Sequence, residues 1–334
     1  MLGQAMRNDP GSADEWQSLR LHKRLYEQAA RLARIGAWEC DLANEHLTWT
    51  DGVYDLFELP SGARLSRSAI VDLYVEPSRR ELEVVRAEAL RRGHGFVLES
   101  EIRTWRGQTR WIRITADIAS VEGRPVRLFG VKQDITDERD ALARLRHRAE
   151  HDALTGLANR GLFDAHYRAM AADAQTRGSV AALALIDLDD FKQINDRLGH
   201  AAGDECLRQV ALRLRRVFRD SVLVARIGGD EFAVLLRAPL GPARIAQMLR
   251  RASAALCQPI LWNDARLDVG ASIGATILGR GVTDAFAEAD AALYAAKAEG
   301  RNAVRIHGDA CGVGEQPEAG TPSNRGRYRY RQAG

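Results

Sequence analysis

The sequence feature that most constrains the fold is a pair of glycines followed by two acids, Gly228-Gly229-Asp230-Glu231, between two short apolar runs. The runs, residues 222–227 and 232–236, are rich in β-branched and aliphatic side chains, and glycines between such runs permit the positive φ angles of a tight turn. The pattern predicts a β-hairpin with two carboxylates at its tip. A solvated turn with two acids is common, so the hairpin alone does not define a site.

A second acidic cluster lies upstream. Residues 180–186 form an almost uninterrupted apolar run of strand length, which predicts a buried central strand that ends at Asp187. If the hairpin pairs beside that strand, Asp187, Asp230 and Glu231 converge on one point. Hard oxygen ligands are what Mg²⁺ prefers, with phosphate oxygens and waters completing its octahedron. The sequence therefore predicts a magnesium and phosphate site.

Further motifs accompany these acids in a fixed order. They are Asp152-Ala153-Leu154-Thr155-Gly156-Leu157-Ala158-Asn159-Arg160, Asp187-Leu188-Asp189-Asp190-Phe191-Lys192 and Asn195-Asp196-Arg197-Leu198-Gly199-His200. With Gly228-Gly229-Asp230-Glu231-Phe232, they resemble the catalytic domain of GGDEF-type diguanylate cyclases over about residues 151–306. The resemblance implies a palm-like α+β domain that joins two GTP into cyclic di-GMP and releases two pyrophosphates. Because one domain holds one GTP, it also implies a homodimer.

The same resemblance implies a role for each site residue. The catalytic residues are Asp230, Glu231 and Lys192. The ligands of two Mg²⁺, or of Mn²⁺ in their place, are Asp187, the carbonyl of Leu188, Asp230 and Glu231. The substrate-binding residues are Asn195, His200, Asp204, Lys297 and Arg301.

Two of these assignments have a physical reason and an ordinary alternative. A carboxylate at Asp204, beside Asn195, accepts from the N–H groups of guanine and rejects adenine, although each residue alone is typical of helix caps and turns. Lys297 and Arg301 are four residues apart and share a helical face that triphosphate would fit. The helix macrodipole alone also favours cations at such a C-terminus.

One departure from the family concerns regulation. Relatives with product inhibition carry Arg-x-x-Asp nine residues before the glycine pair, whereas this chain has Arg219 followed by Val222 in the position of the acid. The inhibitory site is therefore degenerate, and we expect feedback by cyclic di-GMP to be weak or absent.

The first part of the chain has a different pattern. Five predicted strands, at about 35–42, 47–49, 96–104, 109–119 and 126–134, with helices between the second and third, resemble a PAS sensor domain that closes with Asp134-Ile135-Thr136. A capping box at residues 12–15 predicts a helix before it. The expected division is an extension (1–26), the PAS domain (27–136), a linker helix (137–150), the cyclase domain (151–308) and a disordered tail (309–334).

A PAS cofactor is not assigned. Trp38, Trp49, Trp105 and Trp111 could line a cavity, but aromatic residues in strands more often pack in a core. His46 and His94 lie in turn-like surroundings that favour the surface over haem ligation. The sequence around Cys40 is not that expected of a flavin-reactive cysteine.

Composition excludes several function classes. The 334 residues give room for two domains, and the formal charge of +3, with bases and acids interspersed, argues against a nucleic-acid surface. No run approaches the roughly 18 apolar residues of a membrane span, so we expect a cytoplasmic protein without a membrane partner.

Its product would act indirectly through cyclic di-GMP receptors. The alternatives are a catalytically silent receptor for GTP or a cyclic dinucleotide, and a sensor that acts by docking alone.

Overall fold

The computed structural model describes residues 10–64, 66–172, 178–263, 265–278 and 284–308. The predicted disordered tail, 309–334, lies outside these residues. The chain divides into two compact units, one up to Arg146 and the other from His147. Among the described helices, none combines the length and the apolar character needed to cross a membrane.

The N-terminal unit is one antiparallel sheet with helices inserted after its second strand, as the sequence predicts. Its helices are α1 (Pro10–Leu32), α2 (Asp51–Phe57), α3 (Arg67–Val71) and α4 (Ser78–Arg92). Its strands are β1 (Ile35–Asp41), β2 (Leu47–Trp49), β3 (Phe96–Arg103), β4 (Thr109–Val121) and β5 (Arg124–Asp134). The strand order is β2-β1-β5-β4-β3. Helix α1 begins at Pro10, ahead of the predicted capping box, because proline suits the first turn of a helix.

The core of this unit lies on one face of the sheet. Alternate residues of β3 and β4 point inward, and Ile102 and Ile112 are fully buried. Trp49 stacks on Phe57 at a ring-centroid distance of 5.1 Å. At the end of β5, Thr136 donates its backbone N–H and its hydroxyl to Asp134 Oδ1, at 2.9 and 2.6 Å. This cap starts helix α5 (Thr136–Glu150), the predicted linker helix, which has no buried residue.

The C-terminal unit is a five-stranded sheet with helices packed against it, the α+β arrangement that the sequence predicts. The helices are α6 (Arg160–Ala172), α7 (Phe191–Leu198), α8 (His200–Val217), α9 (Pro242–Leu256) and α10 (Ala285–Ala298). The strands are β6 (Val180–Asp189), β7 (Leu223–Arg226), β8 (Glu231–Arg237), β9 (Ile260–Trp262), β10 (Ala265–Leu267), β11 (Gly270–Ile277) and β12 (Val304–Ile306). Strands β9 and β10 form a separate hairpin, and the main sheet has the order β12-β11-β6-β8-β7. Only β11 and β12 pair in parallel within this described sheet.

Strand β6 is central and every one of its residues is buried. The prediction that this strand ends at Asp187 is wrong. It continues through Asp189, because Leu188 and Asp189 still pair with Ala271 and Gly270 of β11. The acids of this segment therefore lie on a paired strand rather than on a loose strand end, and their positions are fixed by the sheet.

Candidate active site

Residues 227–230 form the turn of the predicted hairpin between β7 and β8, and Glu231 is the first residue of β8. The expectation of positive φ angles at the glycines is wrong, because neither Gly228 nor Gly229 adopts one. The backbone N–H groups of Ile227 and Gly228 both donate to the carbonyl of Glu231, at 2.9 and 3.3 Å. A Cβ placed on Gly228 would overlap Oε2 of Glu231, whereas a Cβ on Gly229 would meet nothing within 4 Å. Gly228 thus leaves the space into which the Glu231 side chain folds back over the turn.

Pairing of β8 with β6 brings the two acidic clusters together. Asp187 lies directly opposite Glu231 in the antiparallel register, and the N–H of Leu188 donates to the carbonyl of Asp230 at 3.2 Å. Side chains of directly opposed residues project from the same face of a sheet. The predicted meeting of acids from distant parts of the chain is therefore what the strand register produces.

Electrostatics confirm that these carboxylates interact. Burial raises the pKa of Asp187, and the neighbouring carboxylates of Asp230 and Asp189 raise it further, against the lowering effect of Lys297. Burial also raises the pKa of Glu231, as do the charges of Asp187 and Asp230. Like charges gathered in this way are stabilised by protonation or by a cation. The group is therefore suited to bind positive charge.

One such charge is supplied by the protein. Lys297, near the end of α10, places Nζ 2.7 Å from Oδ2 of Asp187. The sequence assigned Lys297 to triphosphate, and the structure places its ammonium on the carboxylate instead. An ammonium at this position can contact both a carboxylate and a phosphate, since it carries three donors.

Sequence reasoning did not single out Asp189, although the Asp187-Leu188-Asp189 alternation places both acids on the same side of β6. Asp189 is buried, accepts from the Ser272 hydroxyl at 2.8 Å and accepts from the backbone N–H of Asn302 at 2.8 Å. It thereby ties the turn after α10 to the central strand. Asp189 is a structural support of the lysine-bearing helix.

Arg226 and Asp152 form a second support that was not predicted, although both lie in the motifs. The Arg226 guanidinium donates to the Gly229 carbonyl at 2.7 Å and to both carboxylate oxygens of Asp152 at 3.1 and 3.2 Å. Burial opposes ionisation of Asp152, but hydrogen bonds from Thr155 and the contact with Arg226 outweigh it and lower the pKa. The opening segment of the unit therefore holds the turn between β7 and β8 in place.

The remaining predicted substrate residues lie on α7 and α8 and after α10. The Asn195 amide packs so closely on Gly203 that a Cβ there would overlap Oδ1, and Asp204, the next residue of α8, is half-buried. His200 is the first residue of α8. Lys192, in the first turn of α7, and His200 and Arg301 are exposed. The structure thus leaves these three side chains facing solvent. The prediction that Arg301 shares a helical face with Lys297 is wrong, because α10 ends at Ala298 and Arg301 follows it in the left-handed conformation, with a φ of 64°.

The segment that would hold product feedback is open. Arg219 is exposed and pairs with Asp220, at 3.2 Å, while Val222 is half-buried. These positions agree with the sequence in offering no acid at Val222. They do not measure feedback, which stays a prediction.

A preformed metal cage is absent from the part of the chain that the structure describes, where no group of three or more His, Cys, Asp or Glu side chains could hold an ion. Magnesium is usually held by one or two carboxylates together with waters and substrate phosphates. The acids of β6 and β8 fit that mode of binding, because their donors are hard oxygens and their mutual repulsion calls for a cation.

Comparison with known proteins assigns this unit to a class. Residues 149–303 match the family model for the diguanylate cyclase GGDEF domain, and this part of the chain is a GGDEF domain. Diguanylate cyclase TpbB of Pseudomonas aeruginosa is 42% identical over 174 residues, which cover 50% of this chain and 39% of that protein. Probable diguanylate cyclase DgcE of Escherichia coli is 36% identical over 195 residues, which cover 57% of this chain and 18% of that protein.

A solved structure, the coiled coil and GGDEF domain of DgcB from Caulobacter crescentus in complex with c-di-GMP, is 32% identical. It covers 52% of this chain and 93% of that chain, with a TM-score of 0.47. The chain spans less than half the length of the two curated cyclases above. The similarity is therefore a similarity of the GGDEF domain.

Proposed function

We propose that the protein is a diguanylate cyclase, which joins two GTP into cyclic di-GMP and releases two pyrophosphates. The observation that supports this most directly is the cross-strand pairing of Asp187 with Glu231, next to Asp230, inside a GGDEF domain. The similar proteins named as cyclases support the same activity.

Divalent metal is part of the proposal. Bound Mg²⁺ or Mn²⁺ would acidify the attacking hydroxyl and neutralise the leaving pyrophosphate. Asp187, the Leu188 carbonyl, Asp230 and Glu231 would hold it. Asp230, at the tip of the hairpin, would accept the proton of the ribose 3′-hydroxyl. Lys297 and the exposed Lys192 and Arg301 would bind phosphate oxygens, which are matched by a compact ammonium or by a guanidinium fork.

Guanine recognition is proposed for Asn195 and Asp204. The close packing of Asn195 on Gly203 limits where its amide can lie, which favours a fixed hydrogen-bonding edge over a mobile one. Adenine would leave such an edge unpaired, and a site that hydrogen-bonds its substrate rejects an analogue that cannot do so by large factors. His200, on the same face of α8 as Asp204, would flank the base.

Turnover would need two copies of the chain. Each GGDEF domain would present one GTP, and two-fold symmetry would place the two nucleotides face to face. We further propose that the N-terminal unit is a PAS sensor, because it has five strands, helices between the second and third, and a closing Asp134-Ile135-Thr136 cap. A fully active monomer in sedimentation velocity would exclude the dimer requirement.

The test is incubation of the full chain with GTP and Mg²⁺, with pyrophosphate and cyclic di-GMP measured separately. The cyclase predicts two pyrophosphates for each cyclic di-GMP, with ATP inactive. GTP binding without pyrophosphate release would instead identify the catalytically silent receptor. Loss of both binding and turnover would leave a protein that acts by docking.

A further inference from the structure

The N-terminal unit contains a partly open cavity of about 60 Å³ with a lysine in its wall. Lys132 lies on β5 and is buried. Its Nζ lies 5.0 to 5.8 Å from the ring centroids of Phe57, Trp38, Trp49 and Tyr74. The hydrogen bond that the structure gives it is to the Tyr74 hydroxyl, at 3.2 Å. A core that only packs has no need of a buried ammonium beside a void.

The polar groups around this cavity are donors. Arg67 of α3 and Arg86 of α4 also line it, and none of its lining residues is an acid. The side chains of both arginines are about one-fifth exposed, and they pair with Glu45 and Glu83, which do not line the cavity. The wall therefore contains three basic side chains, Arg67, Arg86 and Lys132, and no acidic side chain.

An orphaned donor gives independent support. The indole N–H of Trp38 is buried and has no hydrogen-bond partner among the described residues, although Trp38 lines the cavity. A buried donor without an acceptor is unusual and needs an explanation such as a missing ligand or water. The Tyr74 hydroxyl accepts from Lys132 and keeps its own hydrogen to donate. Two residues of the cavity wall, Trp38 and Tyr74, thus each keep a hydrogen-bond donor available, and the indole N–H of Trp49 in the same core is unpaired as well.

The rest of the wall is apolar. It is formed by side chains such as Leu47, Ile70, Leu82, Ile114 and Leu128. Since each water needs about 10 to 15 Å³ on this measure, the cavity holds a ligand of only a few heavy atoms. Because the wall is apolar and its polar groups are donors, a fitting ligand has an anionic head and a short hydrocarbon body.

We propose that this cavity binds a short-chain monocarboxylate, whose carboxylate receives hydrogen bonds from Lys132 and neighbouring donors while its alkyl body packs on the apolar wall. The site would be the input of the N-terminal unit and lies outside the proposed cyclase chemistry. Burial lowers the pKa of Lys132 to about 7, so the ammonium is only partly charged without a ligand. A bound carboxylate restores the charge that burial disfavours.

The composition of the chain makes a direct test practical, because it contains four lysines, Lys23, Lys132, Lys192 and Lys297. The full chain, labelled with ¹³Cε-lysine, is titrated near neutral pH with butyrate at constant ionic strength. Lys132→Met assigns the signal. We expect the Lys132 signal to move saturably toward its protonated position below about 10 mM butyrate, a range set by weak small-ligand affinity. The Lys23 signal should not move.

Three controls decide the outcome. Calorimetric affinity for butyrate should fall at least about tenfold in Lys132→Met, which removes a charge-assisted hydrogen bond, and should be unchanged in Lys23→Met, an exposed lysine of α1. 1-Butanol and n-butylammonium should bind at least about tenfold more weakly than butyrate, for the same reason. Equal binding of either one, or an unmoved Lys132 signal, would overturn the proposal.

The comparison of ligands uses the unaltered chain, so it holds even if Lys132→Met does not fold. Arg67→Gln gives a second variant and should weaken butyrate binding several-fold. Cyclase activity is not read in any of these measurements. A failed carboxylate site and a failed cyclase assignment are therefore separate results.

Discussion

The two units of the molecule hold charge in opposite ways. In the GGDEF domain, Asp187, Asp230 and Glu231 gather like charges at the edge of a turn, with one lysine against them. In the N-terminal unit a single lysine is enclosed by aromatic rings. The negative charge of the acidic group favours a cation from solution, whereas the lysine of the N-terminal unit is buried away from solvent. The acidic cluster calls for a cation and the buried lysine calls for an anion. Each cluster therefore specifies the charge of its ligand.

Asp230→Ala should produce the largest effect. Removing a carboxylate that supports charge development in the reaction should lower turnover by about 10² to 10³. Cyclic di-GMP production from GTP measures it. Asp268→Ala, an exposed acid of the same domain that pairs with Arg266, should have normal activity. Equal activity of the two variants would show that the acidic cluster has no special role in the reaction.

Lys132→Met tests whether the buried lysine lowers the free energy of unfolding. The folded-state pKa of about 7 lies below the ordinary 10.5, so between these values the unfolded chain takes up a proton that the folded chain does not. Stability is therefore lost as pH falls from 10.5 toward 7, and an apolar side chain avoids this loss. Allowing for the aromatic rings and the lost Tyr74 contact, the gain near pH 7 should be about 1 to 3 kcal/mol.

Urea unfolding near pH 7 and near pH 10 measures this gain, which should shrink at the higher pH. Lys23→Met, on the exposed face of α1, should change stability at neither pH. If Lys132→Met destabilises the chain at both values, the lysine is a structural requirement of the core. Lys132 would then not be a buried charge that costs stability, and the two charge clusters would not differ in this respect.

Gly228→Ala should lower activity without lowering the stability of the protein. The added methyl meets the flexible end of Glu231, which can swing aside, so the melting temperature should change little. The displaced carboxylate should lower turnover about tenfold, because small displacements of catalytic groups are expensive. Gly241→Ala, where a Cβ meets nothing, should affect neither property. A large loss of stability in Gly228→Ala would contradict this reading.

Glu231→Gln should change stability and activity in opposite directions. Burial and the charges of Asp187 and Asp230 raise the pKa of Glu231 above 4.5. The ionised form is therefore disfavoured by folding, and the penalty grows as pH rises from the ordinary 4.5 to the higher folded-state pKa, above which it is constant. Glutamine should stabilise the nucleotide-free protein near neutral pH by up to about 1 kcal/mol and give no gain at pH 4.

Urea midpoints at the two pH values, with Glu122→Gln in an exposed turn as the control, measure this difference. An equal gain in the control would show that net charge rather than the acidic group is responsible. Turnover of Glu231→Gln should fall while its stability rises.

The sequence predicted the acidic site better than the lysine cavity, for physical reasons. The alternation of apolar residues, the glycines and the acids predict the hairpin and the central strand locally. The pairing of β6 with β8, which brings Asp187 opposite Glu231, was a condition of the prediction that the structure supplies. The extent of β6 was missed because Leu188 and Asp189 are held by β11, some 80 positions later in the chain. Lys132 carried no local signal, since its surroundings come from β1, β2, α2 and the segment after α3. Trp105, considered as a cavity residue, is 70% exposed.

The bonds around Asn159 have a mechanical consequence. Asn159 joins the carbonyls of Ala149 and Glu150, at the end of α5, to the segment whose Ala158 pairs with β7. From there Arg226 reaches the Gly229 carbonyl. The end of α5 and the tip of the hairpin are thus connected by a series of hydrogen bonds rather than by a flexible segment. Torsion applied to that helix end must either break one of these bonds or rotate the acid-bearing turn with it.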